Sequence, residues 1–278
     1  MISLSNEEFR LMQRFICDSC GILITKDKSY LIESRLQKII AESGSRNFLG
    51  LYNILKKNNI TLIQKVIDAI TTNETHWFRD RTPWEFFEEA LLPEYISQIR
   101  KGLRSEVRIW STACSTGQEP YSVAMCIKKY INKRNIKDID LGCFKILATD
   151  ISQKALNAAI EGNYDNISVS RGLNEEYKNL FFIKKGNRWF IDEVIKKAVV
   201  FKYFNLISPF VPLGKFDVVF CRYVLIYFSE DYRKNIIERI VDTLVPDGIL
   251  FLGNSELLPE GSQIPKLHRK IANIYYKG

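Results

Sequence analysis

A chain of 278 residues with 46% hydrophobic and 26% charged side chains can build one large globular domain or two modest ones, and is not the composition of a disordered or fibrous protein. No apolar run reaches the ~18 residues of a membrane span. The stretch "MISLSNEEFRLMQRF" lacks the basic-then-apolar pattern of a secretory signal, so a cytoplasmic protein without membrane insertion is expected. The net charge of +8 suits an acidic partner or a lysine-rich solvated surface, while two histidines and six scattered cysteines argue against a histidine-rich metal site and a disulfide framework.

In chain order, residues 1 to about 70 read as helices. "SNEEFRLMQRFICDSCG" offers Ser5 as a cap with Glu8 three residues on, an apolar stripe and a stop at Gly21. "KSYLIESRLQKIIAESG" repeats the scheme to Gly44, and "NFLGLYNILKKN" and "TLIQKVIDAITTN" follow without strand-like alternation. Lys28, Arg35 and Lys38 can share one helix face, either solvated or docking an acidic helix. Cys17-x-x-Cys20 has redox or zinc spacing but stands alone on an expected helix. The next stretch, "TTNETHWFRDRTPWEFF", mixes aromatic rings with polar groups more densely than a linker or a plain core helix requires.

After about residue 105 the pattern changes. "EVRIWSTAC", "FKILATDIS", "KFDVVFCR", "PDGILFLGNSE" and "KIANIYYKG" read as strands. Helical patterns from Glu119 to about Lys133, in "SQKALNAAIEG" and in "SEDYRKNIIERIVDTLV" alternate with them. Alternating apolar strands and helices predict an α/β fold with a doubly wound, Rossmann-like parallel sheet, which binds ligands at the carboxyl ends of its strands. Residues 163–204 break the alternation. They read as a small antiparallel β insert with a helix near Asn174–Leu180, a hairpin turning at "KKGN" and a further strand near Val199.

"STACSTGQEP" ends the first strand with small residues that let backbone approach a ligand, but its single glycine does not make a pyrophosphate-binding G-x-G-x-x-G. A nucleotide-like ligand without phosphates fits better. Glu119 opens the following helix, as a cap or a ligand contact. Asp150 ends the second strand, where an acid accepts two ribose hydroxyls; Ser152 can cap the next helix and free it for that task. "CRYVLIYF" gathers Arg222, Tyr223 and Tyr227 where a substrate would sit, or forms a buried edge with snorkelling Arg222 and Tyr227.

Taken together, "TTNETHWFRD", "RIWSTACSTGQEPYSVAM", "ILATDIS", "FNL", "FDVVFCRYVLIYF" and "GILFLGNSE" resemble, in order and spacing, the CheR family of chemotaxis protein-glutamate O-methyltransferases, over essentially the whole chain. The resemblance implies a small all-helical N-terminal domain (1–75), then an S-adenosylmethionine-dependent methyltransferase domain (76–278) carrying the insert. It implies S-adenosylmethionine as methyl donor, S-adenosylhomocysteine as product and glutamates of methyl-accepting chemoreceptors as acceptors. Cofactor contacts carried over by position fall on Asn73, Thr75, Arg79, Glu119, Asp150, Asn205, Leu206, Arg222 and Tyr223. Trp77, Phe78 and Trp84 would pack the interface, with His76 and Arg81 facing solvent. The basic N-terminal helices would face the receptor's cytoplasmic helical domain, and the insert grips a receptor C-terminal pentapeptide in some members. A monomer that binds no nucleic acid is expected. One departure stands out: the family usually reads Cys-Arg-Asn where this chain has Cys221-Arg222-Tyr223, so a backbone contact at 223 is retained and a side-chain contact is in question.

A glutamate acceptor with a pKa of about 4.3 is already an anion at pH 7, so no general base is needed. The enzyme should align the reacting atoms and exclude water. Tyr227 is the candidate for lining the transfer point, and Arg79 and Arg222 for binding the cofactor carboxylate or steering the acceptor. Two rival classes remain. A nucleic-acid methyltransferase acting on amino groups would need an Asp/Asn-Pro-Pro-aromatic stretch where "CRYVLIYF" has no proline. A receptor-binding module without turnover has only Tyr223 in its favour.

Overall fold

Helices α1 (Asn6–Cys20), α2 (Ser29–Glu42), α3 (Phe48–Leu55) and α4 (Ile60–Ile70) form the N-terminal part of a computed structural model that describes residues 2–256, 258 and 267–278. Ser5 and Glu8 make a reciprocal capping box at the start of α1. Met12, Ile32, Leu36, Phe48, Leu51 and Leu55 are fully buried in a core of this part's own. Gly21 ends α1 at φ +75°, and a Cβ there would lie 2.6 Å from the Phe228 ring and 2.7 Å from Ile207. The chain can turn here, against the second domain, only as glycine.

The crowded segment crosses to the second domain and enters α5 (Thr82–Phe86), a π-helical turn over Phe87–Leu91 and α6 (Leu92–Arg100). Pro93 cannot donate one turn back, which accounts for the widened turn before it. Then come β1 (Val107–Ser111), α7 (Gln118–Lys133), β2 (Phe144–Asp150), α8 (Gln153–Glu161), β3 (Asn163–Asp165), α9 (Asn166–Ser170) and α10 (Glu175–Phe181). The chain continues through β4 (Phe182–Lys185), β5 (Arg188–Ile191), α11 (Glu193–Lys197), β6 (Val199–Tyr203) and β7 (Phe216–Cys221). It closes with α12 (Glu230–Thr243), β8 (Leu244–Leu252), β9 (Leu267–Ile271) and β10 (Ile274–Lys277).

The large sheet runs β6-β2-β1-β7-β8-β10-β9, parallel from β6 to β8 and antiparallel through β10 and β9. The chain winds outward from β1 to β2 and β6, then returns to β7 beside β1. The switch point therefore lies at the carboxyl ends of β1 and β7, where such sheets bind ligands. One face packs on α5–α7 and the insert; the other, with Trp110 and Val219, packs on α12.

The structure departs from the sequence reading at two places. "KIANIYYKG" is not one strand: Ala272 and Asn273 turn the chain between β9 and β10. The strand near Val199 is not part of the antiparallel insert. It pairs parallel with β2, Val199 opposite Ile146, at the edge of the large sheet, while the small sheet is β3-β5-β4 with its hairpin at Gly186. Composition alone does not separate the two, because an edge strand carries alternate polar residues whichever sheet it joins.

Candidate functional site

A cavity opens where the loops after β1, β2, β6 and β7 face the helical domain. The 70–79 segment and the loop after α1 complete its walls. Several hydrogen bonds span the two parts around it. Gln64 Nε2 donates to the Ile151 carbonyl (2.9 Å), Ser152 Oγ to Asp68 Oδ1 (2.8 Å) and Leu23 N to the Tyr227 carbonyl (2.9 Å). Asn73, Thr75, Arg79, Glu119 and Asp150 line this cavity, as do Asn205, Leu206, Arg222, Tyr223 and Tyr227.

Asp150 is buried at the end of β2 and accepts Ser115 N–H (2.7 Å) on one oxygen and Ser152 N–H (2.9 Å) on the other. Each carboxylate oxygen has a second acceptor direction, so capacity remains toward the cavity. Burial raises its pKa against the opposing pull of those N–H groups. Ser152 Oγ accepts from Ala155 N (3.1 Å) and caps α8, which relieves Asp150 of that duty.

Arg222 is enclosed. Its guanidinium meets Asp80 at 2.7 Å and Glu119 at 3.0 Å and donates to the Arg79 carbonyl, with its side chain 1% exposed; its Nε is buried without a partner. Glu119 also accepts from Ser111 Oγ (2.8 Å). Both anions expected near the cofactor are therefore used differently: Asp150 faces the cavity with acceptors to spare, whereas Glu119 neutralises Arg222. Asn205 likewise spends its amide on the domain junction, donating to the Ser19 carbonyl (2.9 Å) and accepting from Ile207 N (3.2 Å). Leu206 adds buried apolar wall, and Asn73 is tied through its carbonyl, which accepts from Ser115 Oγ (2.8 Å).

Arg79 makes no ion pair among the described residues; its guanidinium lies 3.3 Å from the centroid of the Tyr223 ring. Tyr227 stands nearby, and burial raises its pKa, so its phenol stays protonated and can donate.

Two expectations about the surroundings are revised. The neighbouring Trp77 is fully buried and donates through Nε1 to the Ser168 carbonyl (3.0 Å). His76 is not simply solvent-facing: it is half-buried and lines the cavity. Burial lowers its pKa, leaving a neutral imidazole at pH 7. Arg81 is exposed, paired with Glu85. Nor do Lys28, Arg35 and Lys38 form one free basic face. Lys28 precedes α2 in a 3-10 turn, and Arg35 turns inward to donate to the Ile70 carbonyl (2.6 Å) and to Thr72 Oγ1, steadying the start of the crowded segment. Cys20 is buried, its thiol donating to the Ile16 carbonyl and pushed up by burial to about 12.

Sequence reasoning assigned no role to Glu256, the last residue of "GILFLGNSE". Its buried carboxylate accepts from the backbone N–H groups of Tyr223, Leu225 (2.7 Å), Ile226 (3.3 Å) and Gly253 (3.0 Å). It holds the loop that presents Tyr223 and Tyr227. The only signal was an acid just past an apolar strand. Glu256→Ala strips two buried donors, Leu225 N and Gly253 N, and two partly buried ones that water can reach of their acceptor, at about 1–3 kcal/mol per buried donor left unsatisfied. A loss on the order of 3 kcal/mol in urea unfolding is expected, with Glu256→Gln losing less; a loss below about 1 kcal/mol would contradict the anchoring role.

Residues 73–272 match the family described as CheR methyltransferase, SAM binding domain, and residues 7–71 match its all-alpha domain. The chain belongs to the CheR methyltransferase family. It is 43% identical over 258 residues to chemotaxis protein methyltransferase 1 of Pseudomonas aeruginosa, covering 92% of each chain. It is 41% identical to chemotaxis protein methyltransferase Cher2 of Pseudomonas putida over 92% of each chain. It is also 39% identical over 278 residues to the chemotaxis protein methyltransferase of Vibrio anguillarum, covering 99% of this chain and 98% of that one. As a CheR methyltransferase its cofactor is S-adenosylmethionine. The residues fit that molecule: a buried carboxylate with free acceptor capacity suits vicinal ribose hydroxyls, an arginine without an acidic partner among the described residues suits a carboxylate, and Leu206 and Phe228 offer apolar wall. Among the described residues no helix is long and apolar enough to cross a membrane.

Proposed function

We propose that this CheR methyltransferase esterifies glutamate side chains in the cytoplasmic helical domain of methyl-accepting chemotaxis receptors, giving glutamyl methyl esters and S-adenosylhomocysteine. The observation that carries the reading is the cavity at the β1/β7 switch point, which brings Asp150, with acceptor capacity to spare, together with Arg79, which makes no ion pair among the described residues.

S-adenosylmethionine, when bound, supplies an electrophilic methyl group on a sulfonium. Asp150 would hold ribose hydroxyls, with Asn73, Thr75, Leu206 and the Tyr223 backbone shaping the rest of that site. Arg79 would bind a carboxylate, from the cofactor or the incoming glutamate, with charge-assisted hydrogen bonds. Tyr227 would donate to the acceptor carboxylate and fix its approach. Glu119, Arg222 and Asn205 would act through position, since their side chains are engaged within the protein. Because the acceptor is already ionised, what the protein contributes is alignment and exclusion of water, for which the aromatic and apolar walls are suited.

The test mixes purified protein, S-adenosylmethionine carrying a labelled methyl group and cytoplasmic receptor fragments with and without their C-terminal tails. Base-labile label on the fragments is the expected result, and a drop on removing the tail would show that the receptor tail acts as a tether. Cofactor binding without labelling across several receptor fragments would overturn the enzyme assignment.

A further inference from the structure

The loop after β7 holds a tyrosine where the backbone disfavours one. Tyr223 sits at φ +59°, a region that asparagine and glycine enter readily and bulky side chains seldom do. The loop is held in that shape from below, since Glu256 accepts the N–H groups of residues 223, 225 and 226. The side chain is equally fixed. Its hydroxyl donates to Asp80 Oδ2 (2.6 Å), the carboxylate that also pairs with Arg222. Two guanidinium groups approach its ring, Arg79 at 3.3 Å and Arg222 at 5.6 Å from the centroid. Arg222 has two carboxylates to neutralise it; Arg79 has none among the described residues and meets the ring alone.

We propose that Tyr223 is a positioning residue for the methyl-transfer site: its ring, pinned by Asp80 and Glu256, is the platform that holds the Arg79 guanidinium in the cavity, ready to receive a carboxylate. Arginine is otherwise costly to fix in one place, because its long side chain surrenders rotamer freedom on ordering. A flat ring in van der Waals contact attracts the cation and leaves its N–H edge free to donate. The strained backbone at 223 is the counterpart of that ordering: local strain persists at sites where surrounding contacts over-determine it. The proposal rests on the reading of Arg79 as a carboxylate-binding residue.

The test is calorimetric titration of S-adenosylhomocysteine into the wild type, Tyr223→Leu, Tyr223→Phe, Arg79→Ala and the double variant Tyr223→Leu/Arg79→Ala, each checked for folding by thermal melting. Tyr223→Leu keeps bulk but removes the π face, and is expected to weaken binding about five- to tenfold, the scale of a desolvated cation–π contact. Tyr223→Phe keeps the ring and is expected to recover most of that affinity. The double variant is expected to bind no worse than Arg79→Ala within about twofold, because the platform matters only through its cation. Unchanged affinity in Tyr223→Leu, or effects that multiply in the double variant, would overturn the platform role. Should Arg79→Ala bind as the wild type does, Arg79 has no part in cofactor binding, and any loss in Tyr223→Leu then arises without it, which also overturns the proposal. Failure of the site as a whole reads differently, as absence of any titration by the wild type.

Discussion

Replacing Arg222 with methionine is expected to cost about 3–5 kcal/mol of folding stability, the largest loss foreseen for any single change outside the hydrophobic cores. The side chain is almost wholly enclosed and neutralises Asp80 and Glu119, both themselves mostly buried. Methionine fills much of the volume but leaves two anions without a cation and the Arg79 carbonyl without its donor. An uncompensated buried charge is far more damaging than the pair is stabilising. The triple variant Arg222→Met/Asp80→Asn/Glu119→Gln should therefore recover most of the loss. Urea unfolding of the two variants separates the possibilities: a single variant within about 1 kcal/mol of wild type, or a triple variant no better than the single, would show that the charges are not what the site needs.

Asp150→Ala is expected to raise the dissociation constant for S-adenosylhomocysteine at least tenfold, about 1.4 kcal/mol. A ribose with two hydroxyls loses both acceptors, and Ser115 N–H and Ser152 N–H lose their partner. The same carboxylate gives a pH signature. Burial, with nearby Asp68 adding to it, raises its pKa in the folded protein above the unfolded value. The charged form is thus the one the fold disfavours, so its stability cost is present at neutral pH and is relieved as pH falls through the raised value. Cofactor affinity should fall over that same interval, because a protonated carboxyl gives up an acceptor. Titrations from neutral pH downward check this; a dissociation constant unchanged in Asp150→Ala would remove Asp150 from the ribose role.

How much could be read from the sequence varied with the range of the interactions. The four N-terminal helices were legible because caps and stops are local: Ser5 with Glu8, and Gly21 in the left-handed region, are properties of a few consecutive residues. The alternation of apolar strands with helices likewise showed the doubly wound sheet. Strand partners did not show, because β6 carries no mark of whether it will join β2 or the small sheet. The residues carried over by the family motifs do line one cavity, since Asp150 and the loop after β7 lie at strand ends. Their individual duties were not legible. Nothing local in "CRY" says that Arg222 will be closed off by Asp80 and Glu119, residues 142 and 103 positions away. Glu256 escaped for the same reason: its backbone partners at 223–226 lie on a different strand's loop. His76 was read as solvent-facing because nothing in its own segment shows that loops far along the chain, near Ala113 and Tyr227, complete a cavity beside it.

The most direct measurement is a crystal structure of the protein grown with S-adenosylhomocysteine. The ribose hydroxyls are expected within hydrogen-bonding distance of the Asp150 carboxylate, with the ligand lying in the cavity between the helical domain and the carboxyl ends of β1, β2 and β7. Ligand bound elsewhere, or an Asp150 carboxylate out of contact with the ribose, would contradict the account.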